Sequence, residues 1–273
     1  LEVARQTVAT RQLVLEQVTA LEKSKLRSGL DVSFAGVNLA EAKLLLLSAQ
    51  NDMEAAFSEL DLAMGTRQEG KYTLVEENLP AEPVADVATL VDEALRERPE
   101  LKQFRLDAEG AKRFADAERD LWRPVISALA AAGAMPFHES ALAGRYAAAG
   151  INVSIPVFNG RLFSARRAEA DLRARAAEQR ARVIENDVRR DVQVAWLNAS
   201  TAFQRLDVTA QLLDQATKAR DLAQGRYELG LSSIVELSQA QLNETAAQIA
   251  GASAKYNYQI QHAVLSYQTG ALR

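Results

Sequence analysis

From Arg161 to Gly230 the chain carries no proline and a single internal glycine, Gly225. Apolar side chains recur there at Ile184, Val188, Val192, Ala195, Ala199, Ala202, Leu206, Leu213, Ala216, Ala223 and Tyr227. Steps of three and four residues, and their sums, put these positions on one helical face, and the run predicts a coiled-coil helix on the order of 100 Å long. A turn at Gly230 follows. Leu242, Ala246, Ile249, Ser253, Tyr256, Ile260, Ala263 and Tyr267 then carry the same period to Gly270, which predicts an antiparallel return helix.

The first 65 residues read as a partial copy of that hairpin. Aligning Gly65 with Gly270 pairs Ser33 with Ser238, Ala35 with Ala240, Asn38 with Asn243, Ala49 with Ala254 and Leu60 with Leu265, and sets Asp31 opposite Glu236. Aligning the turn glycines Gly29 and Gly230 instead pairs Leu21 with Leu222 and Lys25 with Arg226, so the first tip is expected to be four residues shorter. The opening "LEVARQTVATRQLVLEQ" already has the pattern of a helix interior, without cap or signal peptide, so preceding chain is expected to have been removed or left unordered.

Between the copies the period breaks. "TRQEGKYTLVEENLPAEP" (66–83) has turn residues, a short strand-like run and two prolines, the marks of a connection. A helix capped by Asp86 runs toward Pro124 with an interruption near Pro99. In "GINVSIPVFNG", Ile151, Val153, Ile155 and Val157 alternate with Asn152, Ser154, Pro156 and Phe158, which predicts a strand; "VISALAAAGAMP" is its expected partner through "FHESALAGR". Two strands alone leave their edges unpaired and must join others. One apolar face against a small or polar one suits a transmembrane barrel around water, and the same alternation suits a soluble sheet. Attachment to so long a helix favours the barrel. No apolar run reaches the roughly 18 residues of a spanning helix; the longest is Val125–Phe137.

Composition narrows the chemistry. An apolar share of 48% with 25% charged residues is globular rather than disordered, and only 6% aromatics with recurrent Ala implies thin helix-to-helix contacts. A net charge of −4, with no basic stretch interleaved with aromatics, argues against nucleic acid. The absence of Cys excludes disulfides and thiolate metal sites without naming a compartment. His138 and His262 have no second metal ligand at useful spacing, and no nucleophile elbow, phosphate loop or HExxH helix is present, so neither metal, cofactor nor catalysis is expected.

"RYELGLSSIVELSQAQLN", "RPEL" (98–101), "WRPVISALAAAG" and "AAGINVSIPVFNGRLFSARRAEA", taken together and in this order, resemble the TolC-type outer-membrane efflux proteins. The resemblance implies a mainly α fold of long coiled-coil hairpins in an internal repeat, with strands in a trimeric transmembrane β-barrel. It further implies a homotrimer in the outer membrane of a Gram-negative bacterium, extending into the periplasm and touching membrane lipid, with a periplasmic adaptor and a proton-driven inner-membrane pump as partners. On this reading residues 1–65 are the first hairpin, 66–95 an equatorial connection, 96–121 the helix leading to the barrel, 122–158 the strand pair and 159–270 the second hairpin. A full family subunit would place a further strand pair and a longer outgoing helix before residue 1. A periplasmic coiled-coil adaptor or scaffold without channel activity is the competing reading.

The resemblance also carries candidate sites. The family's acidic pore residue matches Glu236, six positions after the turn glycine, and its second acidic ring falls on Gln239, which is neutral. The family's tip latch joins a Tyr three before the glycine, a basic residue just after it and an Asp of the other tip. Tyr227, Gly230 and Asp31 fit, Ser232 replaces the basic member, and Gly29 is the expected turn of the first tip. Adaptor contact is expected at 25–36 and 226–240. Glu236 and Asp31 also suit ordinary first-turn acids favoured by the helix dipole. Ile151, Val153, Ile155 and Val157 would face lipid, and Trp122 falls where an interfacial aromatic belt would lie, a place that a packed helix-to-strand junction explains equally well. Arg161, Arg166, Arg167, Arg173, Arg175, Arg180 and Arg182 suit a solvated face or contact with anionic phospholipid.

Overall fold

The structure, a computed structural model, describes residues 1–66, 72–83, 86–134 and 145–272. It divides into two units, Leu1–Ala85 with Val194–Ser266, and Asp86–Gln193 with Tyr267–Arg273.

The first unit contains α1 (Glu2–Lys23), α2 (Gly29–Met64), the C-terminal part of α5 (Leu162–Glu228) and most of α6 (Ile234–Thr269). α5 is one uninterrupted helix of 67 residues, as its lack of proline predicts. Its expected inward face is the observed one: Ala195, Ala199, Ala202, Ala216, Ala223 and Tyr227 are buried. The return helix corrects the expectation. Leu242, Ala246, Ile249, Tyr256 and Ile260 are exposed, whereas Leu237, Ala247, Ala254, Tyr258 and Leu265 are buried. α6 carries two apolar stripes. The stripe of Leu237, Ala247, Ala254, Tyr258 and Leu265 packs within the chain, with Tyr258 fully buried, and the other faces outward.

No strand forms among the described residues of the 66–83 connection. Residues 72–83 instead lie as an extended strap on α6. Lys255 pairs with Glu76, the Tyr258 hydroxyl donates to the Ala81 carbonyl, and Gln259 Nε2 donates to the Glu77 carbonyl at 3.4 Å. With no neighbouring strand to complete a ladder, side chains hold it.

In the second unit Asp86 caps α3 (Val87–Glu97), accepting from the Ala88 amide at 3.1 Å. Pro99 then forces Arg98 into extended geometry (φ −67°, ψ 120°) and opens α4 (Pro99–Arg119). Ala94, Val188 and Val192 form the core here, flanked by Leu90, Val91, Leu95 and Ile184. A single 3₁₀ turn, Asp120–Trp122, leads into β1 (Val125–Ala134), which pairs antiparallel with β2 (Arg145–Ser154) from Val125 opposite Ser154 to Ala134 opposite Arg145. One face of the pair presents Ile126, Ala128, Ile151 and Val153, with Arg145 at its far end, and the other mixes Ser127, Asn152 and Ser154 with Val125, Leu129 and Tyr146. Tyr146 lies over Gly133 so closely that a Cβ there would sit 2.6 Å from its ring. Ile155 and Val157, expected within the strand, lie beyond its end, where Pro156 has no N–H for a ladder. His138 and most of the connection between the strands lie outside the described residues.

Candidate functional site

The two hairpin tips are built by the same local rules. At the first, Lys25 adopts φ 60° and the Leu26 amide donates to the Leu21 carbonyl at 2.9 Å; at the second, Gly230 has φ 73° and the Leu231 amide donates to the Arg226 carbonyl at 2.8 Å. Each bond satisfies a carbonyl of the last helical turn. Each return helix then starts on a serine: the Ser28 hydroxyl accepts from the Asp31 amide at 3.3 Å, and the Ser233 hydroxyl from the Glu236 amide at 3.4 Å. Asp31 also accepts from the Ser28 amide at 3.1 Å, completing a capping box.

A constant offset of 205 residues relates Lys23 to Glu228 at the helix ends and Gly29 to Ile234 at the helix starts. The two tips are therefore equal in length, which corrects the expected four-residue deletion. Gly29 is the first residue of α2, and the left-handed turn position belongs to Lys25. Glycine is the usual occupant of that position, so matching glycine to glycine misplaces the tip. The equivalence of Asp31 and Glu236 stands.

Under the same offset the partner of Ser232 is Arg27, a residue that reading the sequence tip by tip misses. Its guanidinium lies 4.1 Å from the centroid of the Tyr227 ring and donates to the Tyr227 carbonyl. A basic side chain thus does meet Tyr227, but it comes from the first tip. Aligning the copies on their helix boundaries is the signal that would have found it. Tyr227 is buried with Val18, Ala223, Ile234 and Leu237, and its hydroxyl has no hydrogen-bond partner among the described residues. Burial pushes the phenol up from its ordinary value; the Arg27 charge opposes this and Asp31 adds to it. The ring is consequently a neutral platform for the guanidinium.

Glu236 pairs with Arg226 Nε at 3.4 Å, both side chains being about half exposed. Gln239 is exposed and donates to Asn243 Oδ1 at 3.0 Å, while Ser232 Oγ is buried without a partner among the described residues. Farther along, Asn38 Nδ2 donates to Ser238 Oγ at 2.7 Å and so joins α2 to α6. Leu26, Leu30, Leu229 and Leu231 remain well exposed around the turns.

In the second unit Ile151 and Val153 are exposed on the apolar face of the strand pair. Trp122 meets Phe163 edge-on, with centroids 5.5 Å apart. Part of the arginine run at the start of α5 is engaged within the unit: Arg166 pairs with Glu118 at 2.6 Å, Arg173 with Glu169 at 2.5 Å and Arg182 with Glu178 at 2.8 Å. His262 stacks edge-on against Tyr258, and no cluster of three or more metal-ligating side chains occurs among the described residues.

Long helical hairpins with duplicated tips, in one chain with an exposed antiparallel strand pair, define the fold class of outer-membrane channels that combine a helical tunnel with a β-barrel. The sequence matches the outer membrane efflux protein family over residues 90–271, and the chain belongs to that family. Membership places it in the outer membrane, with a periplasmic extension. No curated protein matches the sequence. Among solved structures it is similar to a membrane protein from Pseudomonas aeruginosa, with 19% identity, a TM-score of 0.84, and coverage of 98% of this chain and 64% of the other. It is also similar to the outer membrane protein VceC from Vibrio cholerae, with 18% identity, a TM-score of 0.78, and coverage of 98% and 65%. The CmeC outer membrane channel of Campylobacter jejuni gives 15% identity, a TM-score of 0.75, and coverage of 98% and 58%. The chain thus spans less than two thirds of the length of each of these structures.

Proposed function

We propose that this protein is a passive conduit of an efflux system, through which solutes received from an inner-membrane pump and a periplasmic adaptor leave the cell. It does no chemistry on its cargo. In this reading it acts as a homotrimer, the pump is proton-driven, residues 122–158 contribute to the barrel, and the segments 1–65 and 159–270 line the tunnel. The observation that carries the reading is the strand pair, apolar on one face and more polar on the other. A wall between lipid and water needs that division, and a soluble sheet would have its apolar face covered.

Further support comes from surfaces left uncovered on the single chain. Leu242, Ile249, Tyr256 and Ile260 on α6, and Leu30, Val37, Leu44 and Leu47 on α2, form outward apolar stripes at helical spacing, as expected of helices that pack against further copies. The apolar tips with Leu26 and Leu231 are the proposed adaptor contact, and Ile151 and Val153 face lipid. Arg27, Tyr227 and Asp31 form the proposed latch between the tips. Glu236 is proposed to stand in the pore aperture, where three copies about an axis would favour cations, with Gln239 leaving the neighbouring ring neutral.

Planar-bilayer recording of the full-length protein tests the channel. Discrete conductance steps are expected; correctly inserted protein that conducts nothing would refute the proposal and favour a scaffold.

A further inference from the structure

Within the first unit the polar contact between α2 and α6 uses only half of what the repeat provides. Asn38 Nδ2 donates to Ser238 Oγ at 2.7 Å, with Asn38 half-buried and Ser238 8% exposed, so α2 supplies the donor and α6 the acceptor. Under the offset of 205 residues each helix carries both parts: Asn38 corresponds to Asn243 on α6, and Ser238 to Ser33 on α2. Ala35 and Ala42, buried on either side of Asn38 along α2, correspond to Ala240 and Ala247. The tip contact has no such repeat, because Arg27 and Tyr227 correspond to Ser232 and Glu22.

The second asparagine and serine are not used within the chain. Asn243 and Ser33 are both exposed. Gln239 donates to Asn243 Oδ1 at 3.0 Å, which orients the amide and leaves its Nδ2 without an acceptor among the described residues. Ser33 Oγ donates to the Gly29 carbonyl at 3.0 Å, and a hydroxyl engaged as donor still accepts. On either helix the serine precedes the asparagine by five residues, which puts the two about 140° apart around the axis. A helix bonded through one of them therefore still presents the other on a different flank. A contact with two unlike halves on separate flanks is head-to-tail, and its repetition carries α6 of one copy to α2 of the next until a ring closes.

We propose that α6 docks on α2 of a second copy of this chain in the register that α2 and α6 have within the chain, with Asn243 Nδ2 donating to Ser33 Oγ of the partner subunit. The inference rests on the homotrimer reading and adds to it which faces meet and in what register. Asn243→Cys combined with Ser33→Cys tests it in the full-length protein in detergent, with any cysteine outside residues 1–273 first replaced by serine. A short bifunctional thiol reagent should convert the double variant into covalent dimers and trimers on a denaturing gel, while either single variant stays monomeric there. Asn38→Cys with Ser238→Cys is the internal standard, which the same reagent should join within one chain, as read by mass spectrometry of the digest. No intermolecular product from the double variant, or as much from a single variant, overturns the proposal. Sedimentation of the wild type keeps the two readings apart: a trimer whose double variant gives no product rejects this register alone, whereas a monomer rejects the homotrimer and this contact together.

Discussion

Removing Arg27 should loosen both hairpin tips. Arg27→Met keeps the length and apolar stem of the side chain while deleting the charge over the Tyr227 ring and the donor to the Tyr227 carbonyl. A partly buried cation–π contact is worth about 1 kcal/mol and a charged hydrogen bond about 1.5 kcal/mol, so after the ordering of a long side chain the net loss is about 2 kcal/mol. At about 1.4 kcal/mol per factor of ten, the opening equilibrium of the tip should rise about 30-fold. Hydrogen exchange at the Leu26 and Leu231 amides, whose bonds close the two turns, reads that equilibrium. Tyr227→Phe is the control. Because the hydroxyl makes no hydrogen bond among the described residues, removing it should change exchange by less than about threefold while the ring stays in place. Unchanged exchange in Arg27→Met, or equal loosening in Tyr227→Phe, would refute the assignment.

Three further outcomes follow from the same geometry. Glu236→Gln should lower cation selectivity and weaken block by multivalent cations in single-channel recordings, with little change in Tm, since a half-exposed pair to Arg226 contributes less than about 1 kcal/mol; unaltered selectivity would make Glu236 a helix-start acid only. The strap at 72–83 should be acid-sensitive. Its hydrogen bond to Lys255 holds the Glu76 carboxyl below the ordinary carboxylate value, so the contribution is present above that value and is lost as pH falls through the lowered one. A nitroxide at Val75 should gain mobility over that acid range, and Glu76→Gln should flatten the response; a pH-independent wild-type spectrum would count against the contact. Finally, sedimentation of the full-length protein in detergent should give a trimer, and a stable monomer would contradict the packing proposed for the outward stripes of α2 and α6.

Periodicity made most of the fold legible. The inward face of α5 is readable because alanine and valine at steps of three and four admit only one packing surface, and Asp86 and Pro99 mark their helix starts through side-chain chemistry that acts locally. α6 was harder. Either of its two apolar stripes could face inward, the buried one carries Tyr258 and Leu265 as well as Ala247 and Ala254, and no local signal distinguishes a face used within the chain from one presented outward. The strap looked strand-like because Tyr72, Leu74 and Val75 suit a pleat, while strand formation depends on a neighbour that the local sequence does not supply. At the tips, the distant glycines Gly65 and Gly270 pair Asp31 with Glu236, the register that the helix boundaries also give. Arg27 was hidden because Lys25 occupies a conformation that usually signals glycine, and a shift of four residues moved the first tip out of alignment.

In the proposed barrel, β1 and β2 form part of a wall with lipid on one side and water on the other. Residues 1–273 have no cysteine, so single nitroxide labels can be placed at cysteines introduced along residues 147–154 of the full-length protein in lipid vesicles, with any cysteine outside residues 1–273 first replaced by serine. Labels at Ile151 and Val153 should collide with oxygen dissolved in lipid, whereas labels at Asn152 and Ser154 should collide with a water-soluble nickel complex, alternating with a period of two. Equal access to the aqueous reagent at all four positions would contradict the membrane wall and leave the strand pair as part of a soluble scaffold.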